Sequence, residues 1–169
     1  MLDEINKPNI FFCSNCVYPS SSAVTLEFDK NFICSGCQTS KEKNEIDWNE
    51  RKNELIELTD EYKNADSYDC IIPVSGGKDS YFQTHVIKNE LKLNPLLVTY
   101  NGNNYSKVGL ENLYNMREKF NVDHIFFSPS ISVLKALNRL GMLVLGDMNW
   151  HAHAGIFTYP IRVSVDQKI

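Results

Sequence analysis

Residues 69 to 80 read Asp-Cys-Ile-Ile-Pro-Val-Ser-Gly-Gly-Lys-Asp-Ser. The apolar run predicts a buried strand, and it passes without a spacer through two glycines into a helix-forming stretch. A strand that turns so sharply into a helix brings the backbone N–H groups of the turn and of the first helical turn to one point. That arrangement suits a phosphate. Gly76 and Gly77 permit positive φ and present no Cβ to a ligand. Ser75 and Ser80 add hydroxyls, and Asp79 suits either the helix cap or a metal ion. The order is neither the Walker pattern nor the dinucleotide fingerprint. A Gly-Gly turn that binds nothing is the plain alternative.

The rest of the chain alternates around this turn. Strands are predicted at Cys70 to Val74, Pro95 to Tyr100 and His124 to Phe127, and helices at Asp79 to Leu91, Lys107 to Phe120 and Ser130 to Leu140. The first helix is expected to turn Phe82, Val86 and Ile87 inward, the second Leu110, Leu113 and Phe120, and Ser130 is a natural N-cap for the third. This β-α-β-α-β-α order implies an α/β fold with a parallel sheet and helices on both faces. Ligands in such sheets bind beyond the carboxyl ends of the strands, where the Ser75 to Ser80 turn and the polar loop Asn101 to Asn104 both fall.

Four of the five cysteines form two Cys-x-x-Cys pairs, Cys13/Cys16 and Cys34/Cys37, separated by 17 residues. In a chain with no export pattern at its N-terminus, that spacing reads as a zinc site. Four thiolates close a tetrahedral shell, which gives the metal a structural role. The surrounding residues carry little apolar mass, so metal binding would supply much of the folding energy. A redox dithiol is the rival reading. Val24 to Phe28 is expected to be a strand of this ribbon, and Cys70 an inert core residue. Three regions follow: a zinc ribbon at 1–44, a connecting helix and linker at 45–66 (Ile46, Leu55, Ile56 and Leu58 apolar among many charges, then Asn64 to Ser67), and an α/β domain at 67–169 around the phosphate-suited turn.

The net charge of −4 lowers the expectation of a nucleic-acid partner. No apolar run reaches the roughly 18 residues of a membrane helix, so the cytoplasm is the expected location. Near the C-terminus, residues 146 to 160 place His151 and His153 about Ala152, beside Trp150, Asp147 and Asn149. Histidine moves protons near neutral pH, so both are candidate catalytic groups. The alternative is a pair of histidines that cap the following helix. His85 and His124 read as structural.

The order Ser-Gly-Gly-x-Asp-Ser resembles the signature of the PP-loop superfamily of ATP pyrophosphatases. The ribbon, Tyr-Asp-Cys-Ile-Ile-Pro-Val-Ser-Gly-Gly-Lys-Asp-Ser, Leu-Leu-Val-Thr-Tyr-Asn and Trp-His-Ala-His-Ala-Gly-Ile-Phe-Thr-Tyr-Pro together resemble the N-acetyl sugar amidotransferases of bacterial surface-polysaccharide synthesis. The resemblance covers nearly all of residues 10 to 169. It implies an adenine nucleotide alpha hydrolase-like fold and an enzyme that adenylates the acetamido oxygen of an N-acetylated nucleotide sugar with ATP and Mg²⁺. Ammonia from a separate glutaminase subunit then displaces AMP, leaving an acetamidino sugar for lipopolysaccharide O-antigen or nonulosonic acids. It further implies phosphate contacts from Ser75, Gly76, Gly77 and Ser80, a further one from Lys78, and Asp79 on Mg²⁺. Val98 to Tyr100 would meet adenine through the backbone, and His151 or His153 would orient the sugar or move a proton. Three strands are fewer than such a sheet has, and the sequence stops within what reads as an amphipathic helix with Ile156, Phe157, Ile161 and Val165 on its apolar stripe, so the chain is expected to be the N-terminal part of a longer enzyme. Two rivals remain. One is tRNA thiolation, which uses further cysteines near the ATP site, whereas none follows Cys70 here. The other is a non-catalytic nucleotide-binding partner of a glutaminase.

Overall fold

The computed structural model describes residues 9–169 apart from Thr25, Ala65, Asn103 and Asn104. Two compact units divide the chain at Met1–Lys52 and Asn53–Ile169. The expectations for the extreme N-terminus, and those parts of the expected ribbon strand, the linker and the Asn101 to Asn104 loop that fall on the other omitted positions, lie outside the described residues.

The first unit is built from turns. Isolated antiparallel bridges join Phe12 to Pro19 and Phe28 to Cys34. Between the latter two, the Asp29 carboxylate accepts from the backbone N–H groups of Asn31 and Ile33, both at 2.9 Å. Of the strand expected over Val24 to Phe28, only Phe28 pairs among the described residues, and Ser21 to Val24 form a bend. Helix α1 (Ser35–Glu42) follows Cys34 directly. Nothing in its residues signalled it. Helix α2 (Trp48–Glu61) has no buried residue, and Leu55, Ile56 and Leu58 stay exposed.

In the second unit β1 (Cys70–Pro73), β2 (Pro95–Tyr100) and β3 (His124–Phe127) form a parallel sheet in the order β1-β2-β3. Register pairs Ile72 with Leu97, Leu97 with His124 and Tyr100 with Phe127. Two-residue periodicity divides the side chains between two faces. Ile72, Val74 and Leu97 pack with Leu113, Met116 and Phe120 of α4 (Lys107–Phe120), with Tyr81 of α3 (Lys78–His85) against them. Leu96 and Val98 pack on the other face with Val163 and Tyr159 of α6 (Trp150–Gln167). β2 is therefore buried on both sides, with Leu97 at 0% exposure and Val98 at 1%. That explains its uninterrupted apolar sequence.

The helix boundaries follow their local chemistry. Ser106 caps α4 by accepting from the Gly109 N–H at 3.1 Å, and Asn121 ends it in the left-handed region. Ser130 caps α5 (Ile131–Leu145), as expected, and Gly146 ends it at φ 71°. After His85 the chain winds into a π-helical turn, Val86–Glu90.

Two side-chain expectations are reversed. Phe82 faces solvent at 68% exposure, and Tyr81 takes the inward place. Of the apolar residues read as one stripe of the last helix, Ile156, Phe157, Ile161 and Val165 are exposed. The buried face of α6 is instead His151, Ala152, Gly155, Pro160 and Val163. The reason is close approach: a Cβ on Gly155 would lie 2.2 Å from the Tyr100 ring, and one on Gly102 would lie 2.7 Å from the Ala152 Cβ. Small residues bring the helix onto the end of β2, and the large ones are left outside. Gly102→Ala is accordingly expected to force α6 from the sheet and cost about 1–3 kcal/mol, read by urea unfolding. An unchanged midpoint would show that this contact can relax.

Candidate functional site

The four paired cysteines meet in the first unit. Their Sγ atoms all lie within 4.8 Å of one another, with Cys16–Cys34 at 3.6 Å and Cys13–Cys37 at 3.9 Å. Zn–S bonds of about 2.3 Å in a tetrahedron set sulfurs about 3.8 Å apart, so the cluster fits a zinc ion. The backbone supports it. The N–H groups of Asn15 and Cys34 point to the Cys13 sulfur at 3.4 and 3.3 Å, and the Asn15 side-chain amide points to Cys37 at 3.3 Å. Backbone hydrogen bonds from Cys16 and Cys34 push the Cys13 thiol down to about 6, which favours the thiolate that a metal needs. Cys13 and Cys34 are buried, and Cys16 is exposed. Cys70 stands apart in β1, where burial and the Asp69 charge push its thiol up to about 11.

The second unit places the Ser75 to Ser80 turn at the carboxyl end of β1. Gly76 takes φ 78°, and a Cβ there would press on Leu113 at 3.1 Å, so both conformation and packing favour glycine. Gly77 is the N-cap of α3 and offers no capping side chain, so the first amides of the helix point outward uncapped. The Ser80 hydroxyl is buried and accepts from the Ser75 N–H at 3.1 Å, which closes the turn on itself. Lys78 and Asp79 are exposed and pair with each other at 2.9 Å.

The turn is also fixed from behind. Thr99, at 1% exposure, donates its hydroxyl to the Val74 carbonyl at 2.7 Å. The same hydroxyl meets His124 Nε2 at 2.8 Å. Its single proton is committed to Val74, so the imidazole is the donor of this second bond. Burial, and next the Arg117 charge, hold His124 below its usual pKa, which keeps it neutral. This chain ties all three strands together one residue before Ser75. The sequence offered Thr99 and His124 as ordinary strand residues, with no signal that they would meet.

Beside the turn lies a largely apolar cavity of about 300 Å³, lined by Val74, Ser75, Val98, Tyr100, Tyr105 and Phe157 among others. That is the lower end of the size range for small-molecule sites, about 300–1,000 Å³. Val98 and Tyr100 thus share a cavity with the first residue of the turn. The Val98 carbonyl is already engaged by the Val74 N–H at 3.0 Å. Tyr105, Ile156, Phe157, Pro160 and Ile161 also line it and were not foreseen. A second cavity of about 840 Å³ opens on the other side of Tyr100 and includes Phe127, Trp150, His151, Tyr159 and Arg162. Phe127 and Tyr159 stack there at 4.7 Å.

The two histidines do not converge. Helix α6 begins at Trp150, so both lie in its first turn, two residues apart and on different sides. His151 is buried and bonds Asn138 of α5 through Nε2, whereas His153 is exposed. Asn138, 13 residues upstream and on another helix, carried no signal in the sequence.

Among the described residues no helix is long and apolar enough to cross a membrane. No protein-family model matches the chain. An uncharacterized protein of Methanocaldococcus jannaschii is 33% identical over 112 residues, which are 66% of this chain. The chain spans 40% of that relative's length.

The cysteine cluster is expected to bind one zinc ion per chain, and Cys34→Ser to lower the affinity at least about 100-fold, as read by metal analysis and by the absorption of the cobalt-substituted protein. Full occupancy in that variant would contradict a four-thiolate site.

Proposed function

We propose that this chain carries the ATP-binding region of an AMP- and pyrophosphate-forming amidotransferase that acts on an N-acetylated nucleotide sugar. The observation that carries the reading is the Ser75 to Ser80 turn beside a cavity lined by Val98 and Tyr100. An uncapped helix start and a Gly-Gly turn suit a polyphosphate, and the neighbouring apolar cavity suits a flat heterocycle. The resemblance in residues supplies the finer identity: a PP-loop nucleotide site, a zinc ribbon, and a glutaminase as the source of ammonia.

In this reading the amides at the start of α3, with the Ser75 and Ser80 hydroxyls, hold the phosphates in line with the acetamido oxygen. An amide oxygen is a poor leaving group, and adenylation turns it into a good one. Pyrophosphate departs with the electrons of the broken P–O bond, and ammonia next displaces AMP at carbon. Asp79 is exposed and would hold Mg²⁺, which would offset charge on the departing pyrophosphate. Lys78, which pairs with Asp79 at 2.9 Å, would supply a further phosphate contact once that carboxylate held the metal. Zinc at Cys13, Cys16, Cys34 and Cys37 is structural, since four protein ligands leave no open position.

The test is pyrophosphate release by the protein with ATP, Mg²⁺, ammonium and a panel of N-acetylated nucleotide sugars, with bulk tRNA in parallel. Release is expected only when both ammonium and a sugar are present. Asp79→Ala should reduce it by at least about 100-fold with zinc content and folding unchanged. Release with tRNA and a sulfur donor, or undiminished turnover in Asp79→Ala, would sink the assignment.

A further inference from the structure

The cavity of about 840 Å³ has no role in nucleotide binding, yet it lies at the same end of the sheet. Tyr100 and Phe127 are the last residues of β2 and β3, pair in register and both line it. Ligands of parallel sheets gather beyond such strand ends. Tyr159 of α6 stacks on Phe127 at 4.7 Å, with 21° between the rings, and Tyr100 leans on both at 5.8 and 6.2 Å. Trp150, half exposed at the start of α6, borders the same space.

Polar groups stand among these rings. His151 lines the cavity and is 5% exposed. Its Nε2 faces the amide oxygen of Asn138, which makes Nε2 the protonated nitrogen and leaves Nδ1 an acceptor. Nδ1 is buried without a partner, a costly state that a ligand hydroxyl would relieve. One turn apart on α6, Arg162 Nε and Asp166 Oδ2 meet at 3.5 Å. Both side chains are mostly exposed, so the other guanidinium N–H groups and carboxylate lone pairs remain for a ligand.

Aromatic walls suit either a flat base or the C–H face of a sugar ring. Phe127 and Tyr159 already cover each other, so they offer no slot between them for a base and form a one-sided wall instead. Hydroxyl groups donate and accept at once, which matches a cavity where an imidazole and a carboxylate accept and a guanidinium donates. We propose that this cavity binds the sugar ring of the N-acetylated nucleotide sugar, with the ring against Phe127, Tyr159 and Trp150 and its hydroxyls shared among His151, Arg162 and Asp166. The choice of an N-acetylated nucleotide sugar rests on the amidotransferase reading; the fit of a hydroxyl-rich ring to the cavity does not. Tyr100 and the neighbouring cavity of the Ser75 turn share a wall, so a sugar here lies beside the nucleotide.

The experiment is a fluorescence titration of the whole chain carrying Trp48→Phe, which leaves Trp150 as its one tryptophan. UDP-N-acetylglucosamine or UDP-N-acetylgalactosamine is expected to change the Trp150 emission along a saturable curve. UDP at equal absorbance should bind at least about tenfold more weakly, and a saturating non-hydrolysable ATP analogue should leave the sugar response in place. Tyr159→Ala should weaken sugar binding about tenfold. Tyr159 also packs on the sheet, so Arg162→Gln, on an exposed side chain, is the second variant and should weaken it several-fold. Equal affinity for UDP and the nucleotide sugars, loss of the response under the ATP analogue, or no saturable response to either sugar would overturn the proposal. Pyrophosphate release on the same protein separates the two readings. Saturable sugar binding without turnover discards the amidotransferase and keeps the cavity. Turnover whose sugar KM is the same in Tyr159→Ala and Arg162→Gln discards the cavity and keeps the amidotransferase.

Discussion

Burial of β2 on both faces is the constraint from which the site follows. Leu97 and Thr99 point to the side covered by α3 and α4, while Leu96, Val98 and Tyr100 point to the side covered by α6. A strand sealed in this way cannot slip by one residue without exchanging its two faces. Its register therefore fixes three positions around the candidate site at once. Thr99 lies under the Val74 carbonyl and braces the turn that follows it. Tyr100 stands between the two cavities. Asn101 and Gly102 are delivered to the start of α6. The Ser75 to Ser80 turn is thus braced from behind by the Thr99 hydroxyl.

The first unit relies on a different source of order. Its exposed apolar residues include Phe11, Phe12, Val17 and Phe32, and its regular structure among the described residues before α2 is two isolated bridges and a short helix. Four sulfurs within 4.8 Å of one another, with backbone N–H groups aimed at them, are its organising centre. Metal binding and folding are coupled in such units. A closed set of thiolates would leave a bound ion no coordination position at which to do chemistry.

The sheet was legible because its signals are local. Apolar runs of four to six residues, each followed by a helix of ordinary period, placed all three strands within a residue, and Ser130 announced its cap. The cysteine pairs were equally plain, since their spacing is itself the geometry. Contacts between elements were not legible. The inward face of α6 was misjudged because hydrophobicity pointed to Ile156 and Phe157, whereas close approach selected Ala152 and Gly155. The Thr99–His124 and Asn138–His151 bonds join residues 25 and 13 apart, and no spacing rule reaches across a fold in that way. The helix after Cys34 was missed because its residues, Ser-Gly-Cys-Gln-Thr-Ser-Lys-Glu, have neither a strong propensity nor an apolar stripe.

The central claim is that the Ser75 to Ser80 turn and the Tyr100 cavity form one nucleotide site. Hydrogen exchange of the protein with and without a non-hydrolysable ATP analogue and Mg²⁺ tests this most directly. The account predicts slowed exchange at the amides of Gly76 to Ser80 together with the β2 end at Val98 to Tyr100, and little change around the cysteine cluster. Protection that falls elsewhere, or none at saturating analogue, would contradict it.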